Sequence, residues 1–178
     1  MYQKNTSKVF QIESTADLLK IGLLLLLGFF AVVLRERLKI SLQLPGHHGF
    51  EFMLLFMAGK TLSRQRYAMS ISSIGASASA FLPLFHFGSA FMPFTFLLPG
   101  IIGDLILNKS DKTNYLYVAI AGGLAYSFIP MARQIIMLAT GIPFGSLISG
   151  FFYPFALHFI FGALGSLAGE ALFGRFAK

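Results

Sequence analysis

The longest apolar run in the chain, GLLLLLGFFAVVL within residues 17–36, sets the first constraint on the fold. A helix needs about 20 mostly apolar residues to cross the hydrocarbon core of a bilayer, and similar runs recur along the sequence. Of 178 residues, 56% are hydrophobic and 12% are charged, which is more apolar surface than a water-facing fold of this size can bury. The sequence therefore predicts an integral membrane protein.

Glycine, proline and charged residues divide the apolar sequence into about six predicted transmembrane helices. The predicted fold class is an all-α, polytopic membrane protein with both termini in the cytoplasm. Residues 1–16 are polar and are predicted to form an N-terminal tail, and residues 17–178 are predicted to form a single helical domain. The predicted spans are 17–36, 48–62, 67–85, 90–107, 114–137 and 150–173.

Lysine and arginine give the orientation, since loops rich in these residues stay in the cytoplasm. The outer side receives only Arg35, Arg37 and Lys39, together with Arg133 if that residue lies at the end of its span. We expect a multi-pass protein of the cell membrane, in bacteria the cytoplasmic membrane. The net charge of +7 fits this topology and anionic lipid head groups, so no nucleic-acid partner is expected. The inner side receives Lys4, Lys8, Lys20, Lys60, Arg64, Arg66, Lys109, Lys112, Arg175 and Lys178.

The densest cluster of polar residues is His47, His48 and Glu51, at the predicted start of the second span. Within one helical turn, both histidines can project near Glu51. This spacing suits a small ligand or a metal ion, but it is not the HExxH arrangement of zinc proteases. It is also typical of a histidine pair at the membrane interface, with Glu51 paired to a nearby base.

Arg133 is a further candidate because the fifth span carries no other charge from Tyr115 to Leu138. A charge at membrane depth is costly and normally faces the bundle interior or a wet cavity. Its natural partner is an anion, either a ligand carboxylate or Glu51; alternatively, Arg133 snorkels to the interface. Gln134 beside it can add a hydrogen bond, and His86 lies at a predicted outer turn, where it contacts either a ligand or lipid head groups.

Small residues at four-residue spacing predict close helix contacts in two spans. Ser72, Ala76 and Ala80 share one face of the third span, and the last span pairs Gly162 with Ser166 and Gly165 with Gly169. These stripes serve either packing inside the bundle or docking of another membrane subunit. Near the predicted inner ends, Asp104 and Glu170 are expected either to be solvated by lipid head groups or to pair with Lys109 and Arg175.

The sequence lacks the motifs of common enzymes. It contains no GxSxG elbow, no phosphate-binding loop and no acidic pair suited to magnesium, and the absence of cysteine excludes thiol chemistry. The interpretation is a protein that is not an enzyme and that needs neither a cofactor nor a structural metal.

In layout the chain resembles the substrate-binding S component of energy-coupling-factor (ECF) transporters, which take up vitamins. The resemblance lies in the length, the six helices, the cytoplasmic termini, the small-residue surfaces and the long, partly apolar first outer loop, here RERLKISLQLPGHHG. The alanine-spaced motif of that family's first helix, which docks the coupling subunit, is not visible in GLLLLLGFFAVVL, and the small-residue faces lie in the third and last spans instead.

The resemblance implies a protein that captures a scarce micronutrient near the outer face and releases it inside after toppling in the membrane. Its partners would be a transmembrane coupling subunit and ATPase subunits, besides the surrounding lipids. The implied pocket involves His47, His48, Glu51, His86 and Arg133, and the outer bases would steer an anionic ligand toward it.

Three alternatives stay open at this point. A structural or assembly subunit of a membrane complex would use the glycine face of the last helix. A metal or haem uptake protein is suggested by four histidines and 21 phenylalanines. An intramembrane enzyme would need His158 or Glu51 in its chemistry.

Overall fold

The structure is a computed structural model that describes residues 15–37, 44–82, 89–109 and 114–176. Within these ranges the chain forms six α-helices and one short 3₁₀ helix, and no β-strand occurs in them, which confirms the predicted all-α class. The α-helices are α1 (Thr15–Arg37), α2 (Gly49–Ser63), α3 (Ala68–Ser79), α4 (Met92–Leu107), α5 (Tyr115–Thr140) and α6 (Phe152–Phe173), and the 3₁₀ helix is Gly145–Leu147.

Three of the helices, α1, α5 and α6, are long and apolar enough to cross a membrane. The others are shorter: α2 has 15 residues, α3 has 12 and α4 has 16. The predicted third span reached residue 85, but α3 ends at Ser79, and residues 83–88 lie outside the described part of the chain. The composition and length of these helices give the protein its membrane-embedded character.

The helices contact one another in a closed order, α1, α3, α4, α5, α6, α2 and back to α1. Helix α2 also contacts α3 and α5, so it lies innermost. The burial of its side chains agrees with this position, since Phe52, Met53 and Phe56 are almost fully buried. Helix α2 is apolar on nearly all sides, as expected of a helix that other helices surround. The core of the bundle is therefore built around α2.

Glycines bring the helix backbones into direct contact. A Cβ atom on Gly28 of α1 would overlap the Ser72 carbonyl of α3, and one on Gly165 of α6 would overlap the Phe50 carbonyl of α2. The faces predicted from small-residue spacing are thus used inside the bundle: Ser72 and Ala76 are fully buried, and Gly162 packs against the backbone of α5 at Gly122. Internal packing is the role that these stripes have here.

A buried ion pair joins α2, α3 and α4 at one end of the bundle. Lys60 Nζ donates to Asp104 Oδ1 at 2.6 Å, to Asn108 Oδ1 at 3.0 Å and to the Arg66 carbonyl at 3.0 Å. The other carboxylate oxygen, Asp104 Oδ2, accepts from the backbone N–H and the hydroxyl of Ser70, in the first turn of α3. We refer to this end, marked by Lys60 and Asp104, as the lysine end.

The expected partners of the two inner carboxylates were wrong. Asp104 pairs with Lys60 rather than Lys109, and Glu170 accepts from the Thr61 hydroxyl at 2.8 Å rather than pairing with Arg175. The reason is depth: Asp104 is only 1% exposed, so it needs a partner from a neighbouring helix inside the bundle, whereas Lys109 and Arg175 are exposed.

The contact at Gly28 predicts a strong position effect for alanine in α1. Gly28→Ala would force α1 away from α3 and is expected to destabilise the fold by about 1–3 kcal/mol, the usual cost of overpacking. Gly22→Ala in the same helix is the matched control, because nothing lies within 4 Å of a Cβ atom there. Unfolding of both variants in mixed micelles measures the difference; equal stability would contradict the close α1–α3 contact.

Removal of the buried carboxylate is expected to destabilise the lysine end. Asp104→Ala leaves the Lys60 ammonium without its counter-ion and should cost about 3–5 kcal/mol in the free energy of unfolding. Lys109→Ala, which alters an exposed charge nearby, should stay within about 0.5 kcal/mol of the wild type. Similar losses in the two variants would show that the Lys60–Asp104 pair is not buried.

Candidate functional site

The opposite end of the bundle carries a second cluster of polar residues, which we call the histidine end. Here the last turn of α1, the start of α2, the C-terminal half of α5 and the start of α6 come together. The cluster contains His47 and His48 just before α2, Glu51 in its first turn, and Arg133 and His158 from α5 and α6. His158 stacks on Tyr126 of α5 and lies against Gly46, next to His47, and Arg133 is two helical turns beyond Tyr126 on the same face of α5.

His47 is held by its own loop. Its Nδ1 donates to the Leu44 carbonyl at 2.7 Å, and its ring packs on that of His48 with the centroids 3.9 Å apart. The other ring nitrogen, Nε2, is buried and has no hydrogen-bond partner among the described residues. A buried polar atom without a partner costs free energy, so this nitrogen marks a place where the protein alone is incomplete.

His48 and Glu51 form a pair. His48 Nδ1 donates to Glu51 Oε2 at 3.1 Å, and the two side chains are 20% and 10% exposed. Burial, then the positive charge of Arg35 and the neighbouring His47 ring, lower the pKa of His48 to about 4. His48 is therefore neutral at physiological pH, and the pair is a hydrogen bond to a carboxylate rather than an ion pair.

His158 and Tyr126 form a stacked aromatic pair between α6 and α5. The ring centroids are 5.3 Å apart with an interplanar angle of 23°, and His158 Nδ1 donates to the Pro154 carbonyl at 2.7 Å. Two glycines lie against this pair: a Cβ atom on Gly46, in the loop before α2, would meet the His158 ring, and one on Gly49, the first residue of α2, would meet the Tyr126 ring. The loop is seated directly on these two buried rings.

Arg133 lies two helical turns before the C-terminal end of α5. At 1.5 Å per residue, this is about 10 Å along the helix axis from that end. One terminal nitrogen donates to Ser146 Oγ at 3.0 Å, and the other lies 3.7 Å from Met92 Sδ. The guanidinium carbon is 6.0 Å from the centroid of the Phe144 ring, and Nε is buried with no partner in the described ranges. Among the described residues, no carboxylate lies within 4.0 Å of Arg133.

An open cavity of about 270 Å³ lies between the loop before α2 and the segment after α5. One wall is formed by Leu44, whose carbonyl holds His47, and the other by Ser146, which holds Arg133. His47 and Arg133 do not line the cavity themselves, but each is hydrogen-bonded to a residue that does. Its lining residues are Leu44, Pro45, Gly145, Ser146 and Ser149.

The structure brings together four of the six residues predicted for the site. His47, His48 and Glu51 lie next to one another, and Arg133 lies at the same end of the bundle, where it bonds to Ser146 of the neighbouring cavity wall. Gln134 is half-buried and makes no side-chain hydrogen bond within the described part of the chain, and His86 falls outside the described residues. The suggested pairing of Arg133 with Glu51 was wrong, because Glu51 bonds to His48.

Three residues near the cluster were not predicted for a ligand site, and of these only His158 was named from the sequence, for an intramembrane enzyme. Tyr126, Ser146 and His158 are separated from His47 by about 80 to 110 positions, and they reach the cluster only through the packing of α5 and α6 on α2. One signal was available for His158: it occupies the second turn of the last span, at the same predicted depth as the histidines that begin the second span.

A metal centre is not evident at the histidine end. Within the residues that the structure describes, no group of three or more histidine, aspartate or glutamate side chains is placed to hold an ion. The two adjacent histidines instead use their Nδ1 atoms on different acceptors, Leu44 and Glu51.

No protein-family model, curated protein or solved structure matches this chain. The arguments for function therefore come from the site alone.

The lowered pKa of His48 predicts a specific dependence of stability on pH. Between its ordinary pKa of about 6.5 and the folded-state value of about 4, the unfolded chain binds a proton on His48 that the folded chain does not. The contribution of His48 to stability is therefore complete above about pH 6.5 and is lost as the pH falls toward 4.

The matched variant is His48→Asn, which keeps a nitrogen donor near Glu51 and cannot titrate. The difference in unfolding free energy between wild type and variant should change in favour of the variant as the pH is lowered from 7 to 5. A constant difference over this range would show that His48 titrates normally in the folded protein.

Proposed function

We propose that this chain is the membrane-embedded substrate-capture subunit of a micronutrient uptake transporter in the cell membrane. In this proposal a small ligand binds in the cavity at the histidine end, which faces the outside, and is then passed to a transmembrane coupling subunit and its ATPases. The observation that carries the proposal is Arg133, a half-buried positive charge with no carboxylate within 4.0 Å among the described residues.

The uncompensated charge of Arg133 carries a cost in free energy. A buried charge costs several kcal/mol unless a counter-ion and hydrogen bonds offset this cost. Arg133 has one hydroxyl, one thioether and the face of one aromatic ring, which are neutral partners. A carboxylate or phosphate group would supply the missing charge, and a guanidinium binds such groups with two parallel hydrogen bonds. The pattern favours an anionic ligand.

The position of the cavity supports capture from one side of the membrane. It is open, and its walls at Ser146 and Ser149 are polar, which suits a ligand that arrives from water. Its volume of about 270 Å³ lies near the lower end of the 300–1,000 Å³ typical of small-molecule sites. These features favour a compact metabolite over a haem or a peptide.

The distribution of charge favours the same orientation. With the lysine end in the cytoplasm, the exposed bases Arg64, Arg66, Lys109 and Arg175 face inward, as the positive-inside rule requires. The histidine end then faces outward. Both termini would lie inside, and all six helices would be seated in the membrane.

The packing gives less support to the alternative of an assembly subunit. Its argument was the small-residue stripe of the last helix, but Gly162 and Gly165 are occupied by α5 and α2 within this chain. We propose that the subunit itself catalyses no reaction and that ATP hydrolysis belongs to its partners.

Native mass spectrometry of the purified protein tests the proposal. The wild type is expected to retain a small anionic molecule, and Arg133→Ala should lose most of it, since loss of an anion–guanidinium contact worth about 2–3 kcal/mol corresponds to roughly 30- to 150-fold weaker binding. Arg133→Lys keeps the charge but not the planar fork, and should bind with intermediate affinity.

The matched control is Arg175→Ala, which removes the same charge from an exposed position just after α6, far from the histidine end. It should retain the molecule as the wild type does, and unfolding curves should show that all three variants are folded. A folded Arg133→Ala protein that keeps the same ligand with unchanged affinity would reject the proposed site.

A further inference from the structure

The hydrogen bond to Leu44 fixes the tautomer of a neutral His47 ring. A backbone carbonyl can only accept, so Nδ1 of His47 must be the protonated nitrogen that donates to Leu44 at 2.7 Å. In the neutral ring, Nε2 of His47 then has a lone pair and no hydrogen. This buried atom, which has no partner among the described residues, is an acceptor that needs a donor.

Arg133 has the opposite requirement. Its Nε–H is a donor, is buried, and has no acceptor among the described residues. One incomplete acceptor and one incomplete donor thus belong to the same cluster, and each side chain is hydrogen-bonded to a residue that lines the same cavity. Water can donate to His47 and accept from Arg133, but it supplies no negative charge for the guanidinium. An anion without an N–H or O–H group supplies the charge but leaves Nε2 of His47 without a donor.

We propose that the ligand is a carboxylate that also carries an N–H or O–H donor on a compact, flat body. Its carboxylate binds the Arg133 guanidinium, and its donor binds Nε2 of His47. The inference rests on the proposed capture function and adds the chemical class of the substrate. The flat body would lie near the stacked Tyr126 and His158 rings, which are seated under the same loop.

A matched pair of probes separates the two requirements. Pyrrole-2-carboxylate has a ring N–H beside its carboxylate, and 2-furoate has the same size and charge with an oxygen in place of the N–H. Binding of the pyrrole acid should be about tenfold tighter, equivalent to about 1.4 kcal/mol, because furoate leaves the His47 acceptor without a partner. Pyrrole-2-carboxamide, which has the N–H but no negative charge for Arg133, should not bind appreciably.

Two substitutions of His47 identify the atom responsible. His47→Asn places an amide nitrogen near the position of Nδ1 and can keep the bond to Leu44, but it has nothing at the position of Nε2. His47→Gln extends its amide to the position of Nε2. The tenfold preference for the pyrrole acid should disappear in His47→Asn with little change for furoate, and should persist in His47→Gln.

The measurement is a titration of the detergent-purified, full-length protein by ligand-observed NMR at pH 8, after any retained molecule has been removed. Equal affinity for both acids in the wild type, or a preference that survives in His47→Asn, would overturn the donor requirement while leaving anion capture intact. Failure of both acids to bind, or binding that is unchanged in Arg133→Ala, would overturn the capture function itself.

Discussion

Direct contact between helix backbones is the constraint on which the described structure depends. Lipid tails are as apolar as leucine, so helices in a bilayer gain little from hydrophobic burial and associate through close packing instead. Gly28 on α1 and Gly165 on α6 remove the side chains that would keep α3 and α2 at a distance. These contacts set the depth of each helix against its neighbours. The positions of Arg133 and His158 relative to His47 follow from that register.

The two ends of the bundle differ in how a charged side chain is paired. Lys60 has three oxygen acceptors, and Asp104 accepts from Lys60 and twice from Ser70, so the lysine end is complete without any other molecule. Arg133, which like Lys60 is half-buried, has neutral partners and an Nε without a partner among the described residues. Since buried charges are costly unless they are paired, the first arrangement stabilises the fold and the second is better suited to a molecule that comes and goes.

The sequence predicted the helices well, because apolar runs and their interruptions are local properties. It also predicted His47, His48 and Glu51 as neighbours, since three residues within five positions at the start of a helix cannot lie far apart. The sequence did not predict the partner of Asp104, nor that Tyr126 and His158 lie close to His47. These contacts depend on which helices pack together and at what depth. Arg133 was recognised from its charge alone, but its contact with Ser146 required the fold of the segment after α5.

The unequal helix lengths bear on the lipid around the protein. Helices of 12 to 16 residues are about 18–24 Å long, whereas the hydrocarbon core measures about 30 Å. In a bilayer that seats all six helices, the lipid beside α3 and α4 must become thinner than the lipid beside α5 and α6, and such mismatch costs a fraction of a kcal/mol per Å. A thick membrane then costs more in local thinning beside α3 and α4, whereas a thin membrane favours tilting of the long helices α5 and α6. Acyl-chain length therefore becomes a physical variable that sets the resting orientation of the protein.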